Sequence, residues 1–134
     1  MIRQRLGKDL LFFDGGMGTL LQEKGLAPGE LPETWNLTHS EEIYKIHRQY
    51  IEAGSDIILT NTFGANALKF HDDSCSLEEI IKAAVSHVKK AEREALLQTG
   101  DERKIYTALD VGPTGKLLKP MGDLDFETAY EAVK

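Results

Sequence analysis

An α/β fold built on parallel strands is what this sequence predicts, and three observations predict it. Short apolar runs at residues 9–14 (DLLFFD), 56–60 (DIILT) and 104–111 (KIYTALDV) have the length and composition of buried strands. Segments with apolar residues at helical spacing alternate with them, the order that makes βαβ units. Each run also ends in a polar, glycine-bearing loop: DGGMGT, TNTFGA and DVGPTG. Two architectures compete, an open doubly wound sheet and part of a (β/α)8 barrel. In both, ligands bind at the carboxyl ends of the strands, so the three loops are expected to lie side by side.

The elements follow in order. Residues 9–14, bracketed by Asp9 and Asp14, form the first strand. Residues 19–39 carry Gly25, Pro28, Gly29 and Pro32 and read as a long loop with at most one turn of helix near residues 20–24. Loops of this length inside compact domains usually serve a function. Ser40, followed by Glu41 and Glu42, caps a first helix on which Ile43, Ile46, Tyr50 and Ile51 recur until Gly54 stops it. Residues 56–60 form the second strand. Ser76 and Glu79 make a capping box, and Ile80, Ala84, Val88, Ala91 and Ala95 mark one face of a second helix running toward Gly100. The third strand spans residues 104–111. Behind a cap at Asp125, the residues Phe126, Ala129, Tyr130 and Val133 are spaced as one face of a last helix.

Composition narrows the function. The 134 residues include 22 acidic and 16 basic side chains, a net charge of −6, which argues against a nucleic-acid partner or an anionic membrane surface. A mean hydropathy of −0.32 and the lack of a long apolar run exclude a spanning helix. The run LLFF is too brief for the core of a secretory signal, so the expected compartment is the cytoplasm. Cys75 is the single cysteine; alone it makes neither an internal disulfide nor a thiolate-rich metal site.

The strand-end loops hold the candidate chemistry. Asp14 can orient a ligand ammonium or accept amide bonds within its own glycine turn. Gly15, Gly16 and Gly18 permit close approach of a ligand or simply make a turn. They do not make a phosphate loop, since neither GxxxxGK[ST] nor GxGxxG is present. Thr60, Asn61 and Thr62 can hold a carboxylate or an amino group, or can stabilise their own turn. Asp110 shares the ambiguity of Asp14, and the two carboxylates together suit a cationic group or a general acid and base. His39, His47, His71 and His87 show neither i, i+4 pairing nor HExxH, and His47 reads as a packed, hydrogen-bonded residue. Cys75, just before a helix cap, reads as an inert thiol. Trp35 and Asn36 either close over a ligand or pin the long loop to the wall.

The stretches FFDGGMGTLLQ, ETWNL, HRQYIEAGSDIILTNTFGAN and DVGPTG, in that order, resemble the N-terminal half of the homocysteine-binding domain of the cobalamin-dependent methionine synthase family. Betaine-dependent and S-methylmethionine-dependent homocysteine methyltransferases share looser versions of these motifs. The resemblance implies a (β/α)8 barrel, here its first three βα units, so that residues 1–134 are a truncated homocysteine S-methyltransferase domain. It implies a reaction in which zinc holds homocysteine as the thiolate, which takes a methyl group from methylcobalamin, supplied by methyltetrahydrofolate, to give methionine. It places Asp14, Gly15 and Thr19, then Thr60, Asn61 and Thr62, then Asp110, Gly112 and Pro113, around the amino and carboxylate ends of homocysteine.

The family's zinc ligands are three cysteines on later parts of the barrel, and Cys75 matches none of them. Zinc and cobalamin are thus expected in the parent enzyme and neither on this chain alone, which is expected to be inactive by itself. Its partners would be homocysteine, the remaining barrel and the folate and cobalamin domains. Two other readings stay open: a free-standing α/β module for a small amino acid or phosphate, and a structural half-barrel that works by assembly. Three strands cut from a barrel leave two unpaired edges, so self-association through the cut side is also expected.

Overall fold

The computed structural model describes residues 2–70, 74–100 and 102–134. His71 lies outside them. Among the described residues five α-helices, Gly18–Glu23 (α1), Trp35–Thr38 (α2), Ser40–Glu52 (α3), Leu77–Thr99 (α4) and Phe126–Val133 (α5), accompany two strands, Ile57–Leu59 (β1) and Tyr106–Ala108 (β2). The strands are parallel, with Ile57 beside Tyr106, Ile58 beside Thr107 and Leu59 beside Ala108. Joining them through α4 gives the expected βαβ unit.

The expected first strand is reduced to a single parallel bridge between Phe13 and Ile57. Two carboxylates explain its length. Ile57 N donates to Phe12 O and Asp14 N donates to Ile57 O, both at 3.0 Å, as a parallel ladder requires. The next rung would join Leu59 N to the carbonyl of residue 14, but Asp14 Oδ2 takes that N–H at 3.0 Å. At the other end Asp56 Oδ2 takes the N–H of Phe12 at 3.1 Å. Side chains thus close the ladder at both ends. The same device ends the β1–β2 pair, where Asp110 N donates to Thr60 Oγ1 at 3.2 Å. The third strand is accordingly shorter than residues 104–111.

The long loop is also more structured than its prolines suggest. Leu21 on α1 is fully buried, and Pro32–Thr34 forms a 3-10 turn that runs into α2. Leu21, Leu26, Trp35, Ile43 and Ile46 form one core cluster, which holds the loop by burial. A second cluster joins Tyr44 and Ile51 of α3, Ile58 of β1, Val88, Ala91 and Ala95 of α4, and Ile105. The α4 face read from the sequence, Ile80, Ala84, Val88, Ala91 and Ala95, is the face that is buried. Its capping box between Ser76 and Glu79 is formed, and Gly100, at φ 67°, ends the helix.

Two caps differ from expectation. Ser40 is the first residue of α3, and His39 at the cap position makes no side-chain capping bond, because its ring stacks on Trp35 at 4.0 Å. Asp125 stands at the cap of α5 without capping it, since its carboxylate pairs with Lys119 Nζ at 2.8 Å. The amphipathic α5 buries none of its residues, and Phe126 and Tyr130 are more than half exposed.

Candidate functional site

A cleft of about 620 Å3 opens at the carboxyl ends of the Phe13 segment and β1, between the glycine turn after Asp14 and the 3-10 turn at Pro32–Thr34. Of the residues singled out from the sequence, Asp14, Gly15, Thr60, Asn61, Thr62 and Asp110 line it. Thr19, Gly112 and Pro113 do not. Thr19 lies within α1 and is exposed, and Gly112 lines a separate cavity of about 510 Å3 that extends to the end of α5. The first two strand-end loops therefore meet as expected, while the third contributes Asp110 and then turns away.

Asp14 is the most perturbed group in the cleft. Its Oδ2 is held by Leu59 N, while its Oδ1 is buried and has no partner among the described residues. Burial pushes the carboxyl up to about 6 against the pull of the Leu59 amide, and the charge of Asp110 adds to the rise. Above that pH the cleft is lined by an ionised carboxylate, one oxygen of which keeps an unused acceptor position. An ammonium or another hydrogen-bonding cation is the chemical complement.

The threonine pair has an assignable proton direction. Thr62 Oγ1 lies 2.7 Å from the carbonyl oxygen of Asp110, which can only accept, so the Thr62 proton points there. The 2.7 Å bond between the two hydroxyls is then donated by Thr60, whose oxygen accepts from Asp110 N. Both hydroxyl protons are used within the protein. Asn61 is similarly occupied: its Nδ2 donates to Pro32 O at 2.8 Å and to Asn36 Oδ1 at 3.0 Å. Asn36 returns a bond to Asn61 O at 2.8 Å, and His87 Nε2 donates to Asn36 O at 2.7 Å. Trp35 Nε1 donates to Glu30 at 2.7 Å. Trp35 and Asn36 thus pin the loop to the wall.

Sequence reasoning missed Glu33. This carboxylate is 3% exposed, lines the cleft and accepts Gly64 N at 2.6 Å, so it ties the 3-10 turn to the loop after β1. Its place in the ETWNL stretch was the only available signal. Tyr50 was read as a helix-face residue, but its hydroxyl donates to Gly16 O at 3.1 Å. A Cβ on Gly15 would stand 2.7 Å from that hydroxyl, so a larger residue in the turn after Asp14 would have to displace the Tyr50 side chain from its bond to Gly16.

Zinc finds no ligand set here. Among the described residues no three His, Cys, Asp or Glu side chains gather closely enough to hold a metal ion. Cys75 is half-buried ahead of α4, and His87 is bonded to the Asn36 carbonyl. His47, expected to be hydrogen-bonded, is fully buried with both ring nitrogens unpartnered among the described residues, because apolar side chains of the first core cluster flank it along α3. Burial and the neighbouring His87 lower its pKa to about 4. These side chains do not form a zinc site. No helix among the described residues is long and apolar enough to cross a membrane.

Comparison with known proteins places this geometry. The chain is 30% identical over 135 residues to the methionine synthase of Mycobacterium leprae (strain TN), an alignment covering 96% of this chain and 11% of that protein. Its fold is similar to the crystal structure of the homocysteine methyltransferase MmuM from Escherichia coli. The metallated form matches with a TM-score of 0.74 at 23% identity, over 85% of this chain and 42% of that one. The apo form matches with a TM-score of 0.61 at 22% identity, over 77% and 36%. The chain therefore spans about a tenth of the length of one relative and less than half of the other. The α/β architecture is shared with part of the homocysteine methyltransferase barrel, although two strands and one bridge stand where three βα units were expected. Residues 11–134 match the homocysteine S-methyltransferase family, and the chain belongs to that family.

Proposed function

We propose that the cleft holds the amino end of homocysteine in an enzyme that methylates its thiol to give methionine, and that residues 1–134 form one part of that enzyme's homocysteine domain. The observation that carries this is Asp14, a residue that lines the cleft and whose buried Oδ1 has no hydrogen-bond partner among the described residues. Family membership supplies the substrate class, and the acceptor-only character of Thr60 and Thr62 supports an ammonium lying across Asp14 and the threonine pair. Gly15 lets the ligand approach the backbone, and Tyr50 and Glu33 hold the two walls. Asn61 braces the floor from behind. Thr19, Gly112 and Pro113 act at most by shaping the loops.

This chain's work is binding and orientation. Zinc, and a methyl group carried on cobalamin and drawn from methyltetrahydrofolate, belong in this reading to other parts of the parent enzyme, as do the rest of the barrel and the folate and cobalamin domains. With a single cysteine, the isolated chain is expected to form no methionine. The test is titration calorimetry of the chain with L-homocysteine, repeated with Asp14→Asn. Asparagine keeps an acceptor for Leu59 N but replaces the second oxygen and the charge with an NH2 donor, so homocysteine affinity should fall about tenfold or more. Equal affinity for both proteins would remove Asp14 from the ligand site.

A further inference from the structure

We propose that Tyr50 is a positioning residue for ligand binding: it seals the wall behind Asp14 against water without neutralising the carboxylate that the ligand needs. The inference rests on the homocysteine reading above and adds a residue that does not line the cleft. Tyr50 lines a separate groove of about 440 Å3, with Phe12, Phe13 and Ser55 among its other residues, and this groove shares Asp14 and Gly15 alone with the cleft. Those two residues are the partition. Tyr50 stands on its far side.

Three observations fix the phenol there. Its ring packs on both core clusters, so it is held from the interior. Its hydroxyl donates to Gly16 O at 3.1 Å, and among the described residues this is the one hydrogen bond that Gly15 or Gly16 makes. Gly15 leaves room for the oxygen, since a Cβ there would stand 2.7 Å from it. Burial, and then the charge of Asp14, raises the pKa of the Tyr50 hydroxyl, which puts the two groups within electrostatic reach. The direction of the proton matters as much as the place of the ring. Committed to Gly16 O, it is not donated to Asp14, so the carboxylate keeps its full charge for a ligand. Glu33, Lys69 and Asp110 are the other charged side chains lining the cleft, and the groove brings none but Asp14. Opening the partition would therefore admit water and no counter-charge. A carboxylate shielded from water on one side attracts an ammonium on the other more strongly.

Calorimetry of the whole chain with L-homocysteine, repeated across the acid range, tests the assignment on wild type, Tyr50→Phe and Tyr50→Ala. Wild-type affinity should begin to fall near pH 6, where Asp14 titrates. Tyr50→Phe keeps the ring and should keep that midpoint. Tyr50→Ala should lose about fivefold or more in affinity at neutral pH, and its midpoint should move down toward the ordinary carboxylate value of about 4. Tyr50→Leu, which keeps apolar contact with the core but is too short to reach Gly16, should show the same downward shift and replaces Tyr50→Ala where that variant does not fold. A role in folding alone would lower the urea midpoint and leave the pH midpoint at about 6. That result in the truncated variants, or an equal downward shift in Tyr50→Phe, would overturn the seal while leaving the homocysteine reading in place. Failure of the wild-type chain to bind homocysteine at any pH would overturn both.

Discussion

Gly112 donates its N–H to the carbonyl oxygen of Phe63 at 3.0 Å, and a Cβ built on Gly112 would collide with that oxygen and stand 2.9 Å from ring carbon Cδ2 of Phe63. The loops after β1 and β2 are therefore in backbone contact, with no room for a side chain between them. Gly112→Ala should force them apart and cost about 2 kcal/mol of stability, read as a lowered urea midpoint. A midpoint equal to wild type would mean that the loops part without strain.

His47 gives the protein an acid-sensitive core. The unfolded chain takes up a proton on this ring near its ordinary pKa of 6.5, while the buried ring resists until about 4. Stability from this source is complete above about pH 6.5 and falls as the pH drops toward 4, by up to about 3 kcal/mol. His47→Leu, which removes two unpartnered nitrogens, should lessen the fall in urea midpoint between pH 6.5 and 4. Parallel pH curves for the two proteins would contradict this.

Homocysteine affinity should follow the ionisation of Asp14. The carboxyl titrates at about 6, so binding of an ammonium is full above that pH and weakens as the pH falls through it, by about tenfold per unit well below 6. Asp14→Asn should bind weakly with a flat profile over the same range. An unchanged pH dependence in the variant would assign the titration to another group.

Phe126 and Tyr130 on α5, and Leu117 and Met121 before it, are large apolar side chains left exposed. Each such side chain gains about 1.5 to 3 kcal/mol when fully buried, a large share for a domain of ordinary stability. Self-association through these side chains is the expected outcome, visible by sedimentation velocity at micromolar concentration. The double variant Phe126→Glu, Tyr130→Glu should sediment as a monomer, whereas a monomeric wild type would contradict the expectation.

What the sequence makes legible depends on the range of the interactions that decide it. The second helix could be read residue by residue, since a capping box, a periodic apolar face and a closing glycine all act within a few residues. The strand before Asp14 could not. Its apolar run is real, but its ladder is set by Asp56 and by the Asp14 side chain, partners more than 40 residues apart in the chain. The site divides in the same way. Asp14, Thr60 and Asp110 were legible as polar residues at strand ends, whereas Glu33 reaches the cleft only because Gly64 N and Asn61 draw its turn inward. The direction of the Thr62 proton, and with it the acceptor-only floor, depends on a carbonyl 48 residues away.

The side-chain closure of the first ladder gives the cleft an internal reporter. Leu59 owes the protection of its amide hydrogen to a carboxylate rather than to a backbone carbonyl, and that carboxylate is the group with an oxygen left over for a ligand. Whatever draws charge from Asp14 weakens its hold on Leu59 N, and whatever orders the carboxylate strengthens it. The amide resonance and deuterium-exchange rate of Leu59 should thus register occupancy and protonation of the cleft from the neighbouring strand, through one hydrogen bond and with no movement of the fold.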